Sequence, residues 1–337
     1  MSIPAGHLER WVSRIFRNEG LSDEHAQTVA KVLVWANLRG TDTHGVLRVP
    51  HYVALARAGD LNPRPAMATR NETAACVLLE ADRAAGPVAM QEATRLAIDK
   101  ARQAGAGICL VRGTTHTAAL GYYTHMAVEA GMAAIAFSSS TANMAYHGAR
   151  TAGVSTAPLA LAVPGEDGPI ALDMASGIVS MGKLRQAKRT GTRLEPGQAL
   201  DQDGNPTTDA QAAAFPLPLG GAKGSGLSLL IECMTSLVTG NPILAEVLER
   251  TPLGARHRQN GAVIALELAR FVDPAHFRCE AGRLARAIKA LPPQPGMEIL
   301  LPGERGARVS QQRRRDGIPL PKSVYAELRA LMAEPAP

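Results

Sequence analysis

The chain has 337 residues, of which 46% are hydrophobic and 20% charged, enough apolar material for a large core, which excludes disorder as its main state. Aromatic residues make up 4%, too few for the stacking surfaces of single-strand nucleic-acid binders, and no apolar run approaches the ~18 residues of a membrane-spanning helix. The net charge of +6 comes from the last quarter, where 15 basic and 8 acidic residues follow position 249. We expect neither a nucleic-acid nor a membrane partner.

The first sixty residues are predicted to be helical. Ser22 suits an N-cap, because it precedes two acidic residues that favour the amino end of a helix. The apolar residues that follow recur at helical spacing up to Gly40, which ends this helix. A second helix is predicted over 46–57.

The middle of the chain alternates short apolar runs with amphipathic segments, which indicates one sheet with its helices. Strands are predicted at 75–79, 107–112, 132–137, 159–163 and 169–174, and helices at 87–103 and 118–130. Turn-forming residues at 164–168 join two of these strands as a hairpin, so the sheet is not purely parallel.

The last part of the chain is predicted to hold helices at 224–239, 274–290 and 321–332 and a strand at 261–268. The arginine run at 313–315 is interpreted as a solvated loop, with a phosphate-facing role for one arginine as the alternative. Together the patterns predict a mixed α/β fold, with a helical unit at the two chain ends and a sheet-containing unit between them.

The cysteines indicate a reducing compartment. All four are scattered, without a CxxC pair or a histidine at metal-ligand spacing. The first twenty residues carry spaced charges and no apolar stretch typical of a secretory signal. We therefore expect a cytoplasmic protein without a metal site.

The glycines do not fit the standard dinucleotide-binding motif, GxGxxG after a first strand. Two segments begin this pattern, but Leu110 and Leu229 stand where the third glycine belongs. A Rossmann fold is therefore disfavoured, while nucleotide binding by another fold stays open.

A first candidate group lies at the junction of the two amino-terminal helices. His44 precedes Gly45, and Arg48 follows one helical turn later, so both side chains can face one cavity. A histidine can act as a general acid near neutral pH, and an arginine can hold a carboxylate through two parallel hydrogen bonds. This pair suits 2-oxo-acid chemistry, although a His-Gly pair at a helix junction is also a common structural feature.

A second histidine, His116, lies between a predicted strand and a predicted helix. The carboxyl ends of strands are where the sites of α/β proteins gather. A second imidazole there can orient a substrate or stabilise an oxyanion. The alternative is a helix-capping segment.

The segment 218–226 contains four glycines and Lys223 directly before a predicted helix. Glycines allow close backbone approach, and a helix amino terminus and a lysine both favour anions. The segment suits a pyrophosphate, and a glycine-rich turn with a solvated lysine is the alternative.

Six ordered blocks together resemble the malate/L-lactate dehydrogenase family of NAD(P)-dependent 2-hydroxyacid oxidoreductases. They are DTHGVLRVPHYV at 42–53, THTAALGYYTHMA at 115–127, LDMASG at 172–177, LDQDGNPTTDA at 200–210, PLGGAKGSGL at 218–227 and LPGE at 301–304. The resemblance implies a non-Rossmann cofactor domain with a predominantly antiparallel or mixed sheet. It also implies a helical domain built from both chain ends, and a homodimer with the active site near the subunit interface.

The resemblance divides the chain into a helical substrate and dimerisation domain, 1–115 plus 285–337, and an NAD(P)-binding domain, 116–284. It assigns proton transfer to His44, with Thr43 as its hydroxyl neighbour, and to His116 as a second site histidine. It assigns the substrate carboxylate to Arg48. The positions that match cofactor contacts are Ser140, Asp173, Met174, Ala175, Lys223, Gly224, Gly303 and Glu304.

Several positions depart from the family pattern. They are Ser139-Ser140, Ala157-Pro158, Ser176-Gly177 and Arg305, the last standing where a second acid is common. These departures bear on the cofactor and the substrate more than on the class of reaction. A related branch that reduces cyclic imines tends to have an acidic donor where this chain has Lys183, which favours a ketone substrate.

The resemblance therefore implies reversible hydride transfer between a nicotinamide cofactor and a small 2-oxo or 2-hydroxy acid of the malate, lactate, ureidoglycolate or sulfolactate type. Arg305 and the basic carboxyl-terminal quarter favour NADP slightly over NAD. The alternatives are a cyclic-imine reductase acting on piperideine- or pyrroline-2-carboxylate and a cofactor-binding protein without turnover.

Overall fold

A computed structural model describes residues 1–252 and 257–333. The α-helices of these residues are α1 Ala5–Asn18, α2 Asp23–Leu38, α3 Val49–Arg57, α4 Gly86–Ala104, α5 Gly121–Glu129, α6 Met181–Thr190, α7 Ala222–Glu232, α8 Leu244–Leu248, α9 Pro274–Lys289, α10 Glu304–Asp316 and α11 Lys322–Ala333. None of them is long and apolar enough to cross a membrane.

The strands form one large sheet and three small ones. They are β1 Ser2–Ile3, β2 Ala68–Arg70, β3 Cys76–Glu80, β4 Ala106–Thr114, β5 Ala133–Ser140, β6 Met144–Ala145, β7 Ala152–Val154, β8 Leu159–Val163, β9 Ile170–Met174, β10 Ala199–Leu200, β11 Pro206–Thr207, β12 Phe215–Pro216, β13 Gln259–Leu266 and β14 Ile318–Pro319. The large sheet has seven strands in the order β2-β3-β4-β13-β5-β8-β9. The expected mixed, predominantly antiparallel sheet is confirmed, because the β3–β4 pair alone is parallel.

Four strands of this sheet run in the same direction and end at the same edge. Strand β13 runs antiparallel to both β4 and β5, and β8 runs antiparallel to both β5 and β9. Strands β3, β4, β5 and β9 therefore run the same way and end at the same edge. Loops that follow these strands come together there, as sites of α/β sheets do.

The two faces of the sheet are covered differently. The largest buried cluster packs the amino-terminal helices, α4 and α11 against one face and includes Phe16, Leu33, Tyr52 and Met90. A smaller cluster on the other face includes Phe137 and Ile231, the latter on α7. These contacts remove the apolar sides of the helices from water, which supplies the main stabilisation.

The helical unit joins the two chain ends, as expected. Strand β1 pairs with β14, with Ile3 opposite Ile318. Trp11 on α1 packs against Tyr325 on α11, with ring centroids 5.7 Å apart. The amino-terminal helices thus depend on residues more than three hundred positions later.

The structure corrects several predicted elements. The arginines 313–315 lie in the last turn of α10 instead of a loop, and α6 was not predicted. The helix expected at 118–130 begins at Gly121 because Ala118 has a positive φ of 56°. The helix expected at 224–239 ends at Glu232 and continues as the π-helical turn Cys233–Leu237.

The helix predicted over 46–57 is also shorter than expected. Two 3₁₀ turns, Asp42–His44 and Val46–Arg48, precede α3. Gly45 separates them with an extended ψ of −147°. The regular helical spacing assumed between His44 and Arg48 is therefore wrong.

Candidate active site

The two predicted site histidines face each other. His44 lies in the first 3₁₀ turn, and His116 follows β4 at the edge where the strand ends meet. Their rings stack, with centroids 5.7 Å apart and planes 22° apart. Both are half-buried, and the partly open space beside the two rings is called the cleft below.

The turn that carries His44 is held by side chains on both sides. Asn37 is fully buried; its Nδ2 donates to Asp42 Oδ1 at 2.6 Å, and its Oδ1 accepts the N–H of Val46 at 2.8 Å. A Cβ on Gly45 would lie 2.2 Å from Asn37 Oδ1, so this position requires glycine. The buried amide thus fixes the residues before and after His44.

Arg48 joins this group by a contact that the sequence spacing did not show. Its Nε donates to the carbonyl of Thr43 at 2.8 Å, which leaves the two terminal nitrogens to bind a ligand. Its positive charge acts on both His44 and His116. The hydroxyl of Thr43 lies 3.1 Å from His44 Nδ1.

His116 is held by Tyr52, which the sequence analysis did not single out. The Tyr52 hydroxyl donates to the His116 carbonyl at 2.6 Å and lies 2.9 Å from His116 Nδ1. The backbone N–H of Ala118 also points at Nδ1, at 3.3 Å. Because a backbone N–H can only donate, Nδ1 must accept, and the ring proton of neutral His116 belongs on Nε2.

The imidazoles of this cleft are uncharged at neutral pH. Desolvation, helped by the charge of Arg48, lowers the pKa of His44 from 6.5 to about 4. Desolvation also lowers the pKa of His116 well below its ordinary value, and that of His51 to about 4. Neutral imidazoles can accept a proton at physiological pH.

The sheet edge also gathers the residues expected at the cofactor. Ser140 ends β5 and pairs with Gln259, the residue that also pairs with Thr114 at the end of β4. Asp173 and Met174 end β9. Asp173 reaches solvent, but protein atoms surround its carboxyl group densely. Their desolvation of the carboxylate raises its pKa to about 6, and this effect outweighs the N–H of Gly121, which donates to Oδ2 at 2.8 Å and lowers the pKa. Ser140, Asp173 and Met174 therefore share the edge from which His116 emerges.

The glycine-rich segment packs onto the residues that follow β9. The N–H of Leu219 donates to the carbonyl of Ser176 at 2.9 Å. A Cβ on Gly224 would lie 2.5 Å from that carbonyl oxygen and 2.5 Å from the nitrogen of Leu219. The glycine thus lets α7 begin beside Ala175, with exposed Lys223 in its first turn.

The segment 302–305 borders β9. The N–H of Ala171 donates to the carbonyl of Pro302 at 3.1 Å, and Arg39 on α2 donates to the carbonyl of Gly303 at 3.0 Å. Glu304 pairs with Lys289 at 2.5 Å, and this contact lowers the pKa of its carboxyl to about 2. Arg305 is exposed in the first turn of α10.

These residues fit a nucleotide cofactor. The Ser176 hydroxyl, directly after Ala175, is buried and makes no hydrogen bond within residues 1–252 and 257–333. The close packing at Gly224 brings the start of α7, with the exposed cation of Lys223, against Ser176. Both features indicate that a polar ligand completes this region.

A cavity of about 520 Å³ lies beyond this cleft at the same sheet edge. It is lined by Asp60, Arg112, His257 and Arg258, among others. His51 stands between the two places, 6.4 Å from His116 and 5.5 Å from His257 by ring centroids. His51 lies in the block 42–53 but was assigned no role, and His257 lies in no motif. Their proximity depends on tertiary packing.

The comparisons with known proteins agree with this geometry. A family model described as malate/L-lactate dehydrogenase matches residues 3–329. The L-sulfolactate dehydrogenase of Methanocaldococcus jannaschii is 32% identical, over 95% of this chain and 93% of that protein. The Δ1-pyrroline-2-carboxylate reductase of Ancylobacter novellus is also 32% identical, over 93% and 92%. The malate dehydrogenase structure from Entamoeba histolytica superposes with a TM-score of 0.94 at 26% identity, over 100% and 99%.

Fold, cleft and relatives together define an oxidoreductase of the 2-hydroxyacid dehydrogenase or reductase class. The chain belongs to the malate/L-lactate dehydrogenase family. The family resemblance drawn from the sequence blocks is thus confirmed, and the family implies a nicotinamide cofactor.

Proposed function

We propose that the protein catalyses reversible hydride transfer between NADP(H) or NAD(H) and a small 2-oxo or 2-hydroxy acid, of the malate, lactate, ureidoglycolate or sulfolactate type. The observation that carries this proposal is the facing pair His44 and His116 with Arg48 in the same cleft. A proton-transfer group beside a cationic anchor is what a carbonyl next to a carboxylate requires.

Arg48 binds the substrate carboxylate in this proposal. Its Nε is engaged by the Thr43 carbonyl, so the carboxylate meets the terminal Nη1 and Nη2 groups. Burial lowers the pKa of Arg48, and the charge of Arg185 on α6 lowers it further, so a second guanidinium lies close by. Two nearby cations attract an anionic substrate.

His44 moves the proton in this proposal. Its neutral ring accepts the hydroxyl proton during oxidation and returns it to the carbonyl oxygen during reduction. His116 presents its Nε2–H to the same oxygen and stabilises the charge that develops there. The Ala118 N–H, which donates to Nδ1, keeps that proton on Nε2.

The nicotinamide cofactor, when bound, supplies or accepts the hydride. The residues proposed to hold it are Ser140, Asp173, Met174, Ala175, Lys223, Gly224, Gly303, Glu304 and Arg305. NADP is slightly favoured, because exposed Arg305 stands where an acid would repel the ribose 2′-phosphate. Arginines 313–315 lose this role, since eight to ten residues of helix place them about 12–15 Å from Arg305 along α10.

The cofactor preference is tested with Arg305→Glu. The ratio of kcat/KM for NADPH over NADH should fall in this variant. A wild-type preference for NADH that the substitution leaves unchanged would remove Arg305 from cofactor selection.

A cyclic imine is the second candidate substrate, because a pyrroline-2-carboxylate reductase is among the relatives. We favour the ketone, since exposed Lys183 stands near the start of α6 where the imine-reducing branch tends to carry an acid. A panel of 2-oxo acids and cyclic imines with NADH and NADPH, followed by loss of reduced-cofactor absorbance, decides between them. Cofactor binding without turnover of any compound would contradict the proposed reaction.

A homodimer is proposed from an exposed apolar face. Leu230, Met234, Leu237 and Val238 are more than half exposed along α7 and its π-helical end. This helix carries Lys223 in its first turn, so a second copy packed on the face would stand beside the proposed cofactor site. Leu230→Glu should yield monomers by light scattering, whereas Leu284→Glu on α9, a leucine that is equally exposed at 60%, should not.

The remaining assignments are proposals of the same kind. Residues 1–115 and 285–337, to which the family resemblance assigns substrate binding and dimerisation, would bind the substrate. Residues 116–284 would bind the cofactor and also carry the α7 face proposed for the dimer. The four cysteines are free, which suits a cytoplasmic location.

A further inference from the structure

We propose that Arg313, with Asp42, is a positioning residue for His44. The inference rests on the proposed role of His44 in proton transfer. Arg313 belongs to the arginine run 313–315, for which the sequence predicts a solvated loop. Arg313 lies in the last turn of α10 with its side chain only 15% exposed, while its neighbour Arg314 is exposed.

The guanidinium of Arg313 forms hydrogen bonds to Asp42, the first residue of the 3₁₀ turn that ends at His44. Nη1 donates to Asp42 Oδ1 at 2.6 Å, and Nη2 donates to Asp42 Oδ2 at 3.0 Å. Nη1 also donates to the backbone carbonyl of Asn37 at 2.5 Å. A planar, two-pronged pair of this kind fixes orientation as well as distance.

Asp42 passes this constraint to His44. Its Oδ1 also accepts from Asn37 Nδ2, and Asn37 binds the N–H of Val46. The backbone N–H of Gly45 donates to the Asp42 carbonyl at 3.1 Å. The imidazole therefore stands on a short turn held at both ends, and the hold at its start depends on α10.

The opposite end of α10 lies at the proposed cofactor site. Gly303 caps the helix, and its carbonyl accepts from Arg39 of α2. Helix α10 is thus attached to α2 at both ends, and it connects the segment 303–305 with the turn of His44. The placement of this proton-transfer group is thus set by a helix whose described hydrogen bonds here go to Asn37 and Asp42 and not to the ring.

The test compares variants that differ in one contact. Arg313→Gln removes the two-pronged pair, Arg313→Lys keeps the charge, and Arg314→Gln removes an equal charge from the adjacent exposed site. We expect Arg313→Gln to lower kcat at least about 10-fold, because small displacements of reacting groups are costly. The KM for the cofactor should change less than twofold, Arg313→Lys should recover part of the loss, and Arg314→Gln should match the wild type.

A double variant tests the route. If Arg313 acts through Asp42, Asp42→Asn combined with Arg313→Gln should lose no more than the worse single variant. If the fold losses in kcat of the two single variants multiply in the double variant, the inference is overturned. Equal kcat in the 313 and 314 variants, at a temperature where both are folded, would also overturn it.

An NMR titration separates this inference from the proposed reaction. The ring of His44, assigned with His44→Gln, is held beside Arg48 in a desolvated cleft. Release of the turn in Arg313→Gln should raise the pKa of His44 from about 4 toward its ordinary value. The other titratable groups around the His44 ring are His116, Arg48 and Arg185. All three are present in both Arg313→Gln and the control Arg314→Gln. This readout needs no turnover, so an unchanged titration counts against Arg313 whatever the substrate panel shows.

Discussion

The two facing histidines are held in different ways. His116 follows a long central strand, and its ring is fixed by a buried tyrosine and a backbone N–H. His44 ends the first of two 3₁₀ turns that bury little and depend on the side chains of Asn37 and Arg313. Sheet register secures the first, whereas a polar network assembled from distant parts of the chain secures the second. The first should therefore tolerate the loss of one hydrogen bond better than the second.

The largest effect on kcat should come from removing the imidazole of His44, the ring that depends on the polar network. His44→Ala should lower kcat by ~10²–10⁴, the usual contribution of a positioned acid–base group. Cofactor affinity should hardly change, because the residues proposed for the cofactor lie on other elements. Stopped-flow hydride transfer and cofactor titration measure the two quantities. Near-normal turnover would move the proton-transfer role to His116.

Arg48→Lys tests the proposed carboxylate anchor beside the two histidines. Lysine keeps the charge but lacks the planar pair of terminal nitrogens. With a charge-assisted hydrogen bond contributing about 1.5–3 kcal/mol, we expect KM for the oxo acid to rise about 10- to 100-fold. The value of kcat should fall less. Equal wild-type activity on an amide of the substrate would argue against carboxylate binding.

Tyr52→Phe sharpens the comparison on the other side. The variant removes one hydrogen bond to His116 and leaves the Ala118 N–H in place, so kcat should fall about 2- to 10-fold. Tyr122→Phe is a control, since that hydroxyl binds Gln91, at 3.4 Å. A loss as large as that of His44→Ala would mean that His116 is no more robustly held than His44.

The smallest effect concerns stability against acid. The pKa of His44, His51 and His125 is lowered from 6.5 to about 4, mainly by desolvation, so their neutral forms stabilise the fold above pH 6.5. That stability is lost as the pH falls from 6.5 toward 4, because the unfolded chain takes up protons first. Asp173, with its pKa raised to about 6, acts in the opposite direction and offsets part of the loss.

The melting temperature should therefore fall most steeply between pH 6.5 and 4. His125→Gln should flatten the curve, since this ring lies against Trp35, at 5.0 Å, and outside the catalytic pair. An unchanged slope in that variant would show that His125 does not titrate on unfolding.

Sequence patterns predicted the sheet well and the turns poorly. The hairpin of β8 and β9 follows from local turn chemistry at 164–168, and the structure confirms it. The α10 helix was missed because its residues are almost all polar, so they show no apolar periodicity. Its position depends on ion pairs such as Arg313 with Asp42, whose partners are 271 residues apart.

The candidate site divides in the same way. Short motifs marked His44, Arg48 and His116, because each motif places several chemical groups within a few residues. Tyr52 lies in one of those motifs, yet its role depends on contact with a residue 64 positions later. His257 carries no motif, and only the folded chain brings it to His51. Proximity created by folding was thus the part that local patterns could not supply.

The pairing of β1 with β14 has a consequence for synthesis on the ribosome. Residues 2 and 3 find their partners only after residue 319 has emerged, so the amino-terminal edge waits for nearly the whole polypeptide. The strands from β2 to β13 can pair earlier, as their residues lie within 68–266. Vectorial synthesis therefore favours the sheet first and closure of the helical unit last. A ribosome that stalls before the final strand would release a chain whose first helices lack their cover.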